Sequence, residues 1–205
     1  DAFIHIVDAS GKTDTLGRQT ESHNPCEDIK FLEEELDAWY YNILSRVWKS
    51  FVRKAELEDT NFSEAVAKQF SGLKVKEEQV KKVLLKLALP EKPSGWNEEQ
   101  LKNFASELRK TSKPMIVAAN KSDDLDSWKN IENLKKNFKD YLIIPCSADS
   151  ELALRQAAKS GLIEYVPGEK DFKILKDLSD KQKQALDKIK KNVLEKFEYG
   201  TGVQQ

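Results

Sequence analysis

Residues Met115-Ile116-Val117-Ala118-Ala119-Asn120-Lys121-Ser122-Asp123 decide the reading of this chain. The first five are apolar without alternation, the pattern of a strand covered on both faces. The next four spell N-K-x-D at the strand's carboxyl end. In open α/β sheets that end is where ligands sit. The motif suits one chemistry closely. A carboxylate at Asp123 accepts two hydrogen bonds from guanine, one from ring N1–H and one from the exocyclic amine. Adenine has an acceptor at N1 and no amine beside it. A site built on such bonds rejects a ligand lacking them by about 10⁴-fold or more. The Lys121 stem can lie along the base, and the Asn120 amide can brace neighbouring loops. A short motif in a Lys-rich chain is weak alone; its place after a buried strand adds weight. The bland alternative is a polar loop in which Ser127 caps a helix lined by Trp128, Ile131, Leu134 and Phe138.

Working outward, residues 3–7 and 141–145 repeat the continuous apolar pattern. Three such runs, the latter two alternating with helical periods, predict an α/β layered sheet of parallel strands. The third run leads into Cys146-Ser147-Ala148. A Ser-Ala turn means nothing alone. At the end of the strand after N-K-x-D it gains meaning, because in guanine-nucleotide-binding proteins a turn so placed offers a backbone N–H to guanine O6.

About a hundred residues separate the first two strands, far more than a simple parallel crossover needs. Asn24, Pro25 and Glu27 have the pattern of a helix start with a capping box. Ile29, Leu32, Leu36, Tyr40, Ile43, Val47 and Phe51 then recur at helical spacing. Acids crowd the start of this helix and bases its end, in the order that complements the helix dipole. Shorter helices follow. One carries Phe62, Val66 and Phe70, another Val80, Val83 and Leu87. A third starts at Asn97 with Gln100 three residues on, and Trp96 and Leu101 are placed for a hydrophobic staple. The insertion is expected to be all helical, spanning 25–110, with 1–24 and 111–205 forming the discontinuous α/β part. Beyond the third strand, Ser150 is expected to cap a helix that stops before Gly161. Residues 162–175 are expected to hold short strands, and a last helix carries Ala185, Leu186, Ile189, Val193 and Phe197.

Composition narrows the classes. Thirty-four Lys and Arg offset 35 Asp and Glu, leaving a net charge of −1 over 205 residues. That balance argues against a generic basic nucleic-acid binder. At 39% hydrophobic residues the chain has material for a real core. No apolar run approaches a membrane span. Cys26 and Cys146 make no disulfide framework, which favours a reducing, cytoplasmic setting. Gly11-Lys12-Thr13 invites a phosphate-loop reading, but the position that needs the first glycine is Ile6; we read a turn. His5 reads as a packed strand histidine, and Cys146 has no nearby His to activate it. No zinc spacing occurs. Trp39, Tyr40, Tyr41 and Trp48 read as core. The chain opens one residue before a strand and closes in a loop-like stretch, 199–205, so a piece of a longer protein is expected.

The opening H-I-V-D-A-S-G-K-T-D, K-P-M-I-V-A-A-N with N-K-S-D, the later S-A, the helical insertion and A-A-K-S-G-L-I-E-Y-V-P-G together resemble the Obg-like YchF-type P-loop nucleotide hydrolases, archaeal members above all. The resemblance implies a partial P-loop NTPase (G domain) fold. It implies base recognition by Asn120, Lys121, Asp123, Ser147 and Ala148. It places the phosphate loop, the switch regions, the Mg²⁺ ligands and a TGS domain outside these 205 residues, so no catalytic or metal-binding residue is assigned within them. The intact protein is expected to hydrolyse GTP, with ATP as the alternative because many family members replace the motif's Asp. Ribosome or RNA association is implied as well. The rival from another class is a non-enzymatic helical docking module for a ribosomal or protein partner.

Overall fold

The structure, a computed structural model, describes residues 2–205. It is an α/β chain built on a parallel three-stranded sheet of order β1-β2-β3, with β1 at Phe3–Asp8, β2 at Met115–Asn120 and β3 at Leu142–Pro145. Strands β2 and β3 pair in parallel, Val117 opposite Ile143 and Ala119 opposite Pro145. The Ala9 N–H donates to Asn120 O at the end of β2, which levels the carboxyl ends of β1 and β2.

Two compact units divide the chain. One takes in Phe3 and Lys30–Met115, the other Ile4–Ile29 and Ile116–Gln205. The first holds most of α1 (Cys26–Leu57), then α2 (Phe62–Gln69), α3 (Glu77–Leu87) and α4 (Glu98–Ser112). The helical stripe of α1 folds as its period dictates. Tyr40, Leu44, Trp48 and Val52 are buried against Val66, Val80, Phe104 and Leu108. Trp48 stacks on Trp96 with ring centroids 5.4 Å apart and meets Phe104 at 5.8 Å. Trp39 departs from its expected place in the core. It is 47% exposed and touches Tyr40 edge-on, because one position's rotation carries it off the buried stripe. Asn97 caps α4 through Gln100 N–H, and Gln100 answers with the Asn97 N–H. Arg109 on α4 is almost fully buried, and Asp37 and Glu33 of α1 neutralise it.

In the second unit, Val7, Ala9, Val117, Ala119 and Ile143 of the sheet pack against Ile29, Ile131 and Leu134. Helix α5 spans Ser127–Asn137 and α6 spans Ala148–Lys159. A short antiparallel pair, β4 (Ile163–Glu164) with β5 (Lys173–Ile174), lies within the predicted 162–175 segment. Helix α7 (Asp180–Ile189) widens into a π turn over Lys190–Leu194, which keeps Val193 and Leu194 buried with Leu186. The apolar run of β1 is covered on one face only. Val7 is buried, whereas Ile4 and Ile6, which share the opposite face, are 68% and 67% exposed. Leu142 of β3 is exposed too. Among the described residues no helix is long and apolar enough to cross a membrane.

Candidate functional site

The sheet register brings the polar motifs together. Strand β3 continues as a ladder for one residue, Cys146 N–H donating to Ala119 O at 2.9 Å. Asn120 therefore lies level with Cys146, and Ser147 follows one residue on. Ser122 then ties the two exits. Its N–H donates to Cys146 O and its buried hydroxyl to Ala119 O.

Within that frame the four groups at the strand ends meet directly. Asp123 Oδ1 accepts the Ser147 hydroxyl at 2.7 Å. Asn120 Oδ1 accepts the Ala148 N–H at 3.0 Å. Lys121 sits at φ +60°, a left-handed conformation that turns the chain out of β2. Its Nζ reaches Asp8 Oδ2, at the end of β1, at 2.8 Å. Burial pushes the Asp8 carboxyl up, but hydrogen bonds from Lys121, Ser10 and Thr13 outweigh it and hold the group below the usual aspartate range. Lys12 pairs with Asp124, so the Gly11-Lys12-Thr13 turn is held against the N-K-x-D loop. All five residues singled out from sequence thus lie at one end of the sheet. Asp8 is an addition. The D-A-S-G run after the first strand was its only sequence signal.

Two capping expectations change. Ser147, not Ser150, caps α6. Its Oγ accepts from Ser150 N–H and lies 2.8 Å from the Ser150 hydroxyl. The strand ladder holds Cys146, so Ser147 is the first residue free to turn into the helix. Ser127 lies inside α5 rather than before it. Its hydroxyl donates back to Asp124 O and Ser122 O, closing the motif loop. One Ser147 hydroxyl therefore serves two tasks, steadying Asp123 and opening α6. Beside Asp123, a shallow groove of about 210 Å³ runs between Asp149 and Ser150 on one side and Lys188 and Asn192 of the last helical stretch on the other. Cys146 is buried and its thiol is pushed up to about 11 by desolvation.

Fold and site define an open α/β protein whose polar groups converge where adjacent parallel strands end, the place such sheets hold ligands. Residues 118–205 match the family described as Obg-like GTPase YGR210-like, G4 motif-containing domain. Over its full length the chain is 47% identical to an uncharacterized GTP-binding protein of Methanocaldococcus jannaschii, covering 51% of it. A GTP-binding protein of Schizosaccharomyces pombe is 31% identical over 88% of the chain and 44% of its own length. The crystal structure of a GTP-binding protein from Pyrococcus horikoshii superposes with a TM-score of 0.80 at 43% identity, over 99% of this chain and 54% of that one. These matches support an Obg-like GTP-binding family. The chain spans about half the length of the curated relatives it matches.

Proposed function

We propose that this chain recognises the base of GTP and forms part of a nucleotide-hydrolysing protein of the YchF type. The observation that carries the reading is the Asp123–Ser147 hydrogen bond at the ends of two adjacent parallel strands. It fixes a carboxylate with acceptor capacity to spare, because one hydroxyl leaves most of its lone pairs open. Guanine N1–H and its amine fill that capacity; adenine cannot. GTP is therefore preferred over ATP. Ala148 N–H would serve guanine O6 by exchanging its present acceptor, Asn120 Oδ1, for the base. Lys121, fixed at its tip by Asp8, would lay its stem along the ring.

Hydrolysis would require a phosphate loop and Mg²⁺. Among the described residues no cluster of three or more His, Cys, Asp or Glu side chains could hold a metal. No step of the reaction is assigned to these residues. The relatives' greater length supports placing that machinery in a longer protein, with the hydrolytic contribution chiefly positioning and electrostatic. Cytoplasmic location and ribosome or RNA association belong to the same proposal through the resemblance.

Calorimetric titration of the full-length protein with GTP, ATP and xanthosine triphosphate tests the base reading. Asp123→Asn is expected to weaken GTP by about 100-fold or more, the scale of two lost charge-assisted bonds, and to favour xanthosine triphosphate. Equal loss of both nucleotides would overturn it.

A further inference from the structure

We infer that Thr201, gripped between Gly200 and Gly202, is a positioning residue for the Ser147-Ala148 turn and so tunes the site's hold on the base. This rests on the nucleotide reading above. The residues 199–205, expected as loop, contain a buried core of Gly200, Thr201 and Gly202. Thr201 O accepts the Ser147 N–H at 3.0 Å. The Thr201 hydroxyl donates to Glu151 Oε2 at 2.7 Å, and Glu151 N–H donates to Ser147 O at 3.1 Å. Three residues thus close a ring around Ser147. With its hydroxyl on Asp123, every polar group of Ser147 is fixed.

Glu151 is built as the anchor of this ring. It is 3% exposed, and Tyr165, Arg155 and Gln204 join Thr201 in donating to its carboxylate. A buried carboxylate with that many donors holds its geometry, because each unmade bond would leave a desolvated acceptor site unsatisfied. The neighbouring glycines let the segment approach. Gly200 has φ +54°, and a Cβ there would lie 2.7 Å from Gly168 O; at Gly202, φ +76°, a Cβ would overlap Pro145 O. The segment acts on the expected base slot through Ser147, which donates to the Asp123 carboxylate and adjoins the Ala148 N–H.

The test combines two measurements on the full-length protein. Thr201→Val keeps the shape and removes the hydroxyl. Expected are GTP binding weaker by about tenfold, the scale of one bond to a charged group, and faster hydrogen exchange at the Ser147 amide without nucleotide. Thr201→Ser should restore both, which a purely packing role would not allow. Should Thr201→Val fail to fold, Glu151→Gln carries the same expectation. Unchanged GTP affinity in Thr201→Val, while Asp123→Asn still weakens GTP, overturns the positioning role alone. Failure of Thr201→Ser to restore binding overturns it too. Unchanged GTP binding in Asp123→Asn overturns the base reading, and the inference with it.

Discussion

At the scale of single residues, the Lys121–Asp8 contact shows how a motif recruits a partner from outside itself. The Lys121 side chain of N-K-x-D reaches across to Asp8 at the end of β1, and its backbone takes a positive φ. Lys121→Met should therefore let the Asp8 carboxyl climb back toward the ordinary aspartate range. A carbon-detected NMR titration of Asp8 measures this. The sign for stability follows. A carboxyl held low stabilises the fold above its unfolded pKa and loses that contribution as pH falls through its folded value. The acid-side loss should be smaller in Lys121→Met. That Asn120, Lys121, Asp123, Ser147 and Ala148 lie together was legible in sequence because all five sit at the ends of two neighbouring strands. Asp8, Glu151 and Thr201 were not, because their roles arise from pairings 50 to 113 positions apart, such as Thr201 with Glu151 and Lys121 with Asp8.

At the scale of elements, helix starts divide into those that sequence announces and those that tertiary pairing chooses. Asn97 and Gln100 form a reciprocal box four residues long, and the expected cap is the observed one. Asn97→Ala is expected to cost about 1 kcal/mol of unfolding free energy, read by urea denaturation. The start of α6 offered two serines three residues apart. Sequence favoured Ser150, yet the ladder bond from Cys146 to Ala119 ends the strand early enough for Ser147 to take the role. The choice lay in β2, not in the local string. The same holds for β1. Its run is apolar throughout, but whether Ile4 and Ile6 are covered depends on what packs beside the strand, which periodicity does not encode.

At the scale of the whole molecule, the helical core and the sheet core share no residue. Phe104→Ala should cost about 3–5 kcal/mol and Leu134→Ala about 2–5 kcal/mol. In the double variant the two losses should add to within about 0.5 kcal/mol, measured by calorimetric unfolding of single and double variants. The layered α/β class and the long helical insertion were legible because both rest on hydrophobic period, which a chain cannot disguise. The two thiols carry a last consequence. Cys26 and Cys146 are both interred, and Cys146 is held almost wholly as the unreactive thiol beneath the Asn120 amide. Oxidants and alkylating reagents thus meet no nucleophilic sulfur while the strand ends stay together, and unfolding at that end of the sheet is what would lay Cys146 open to them.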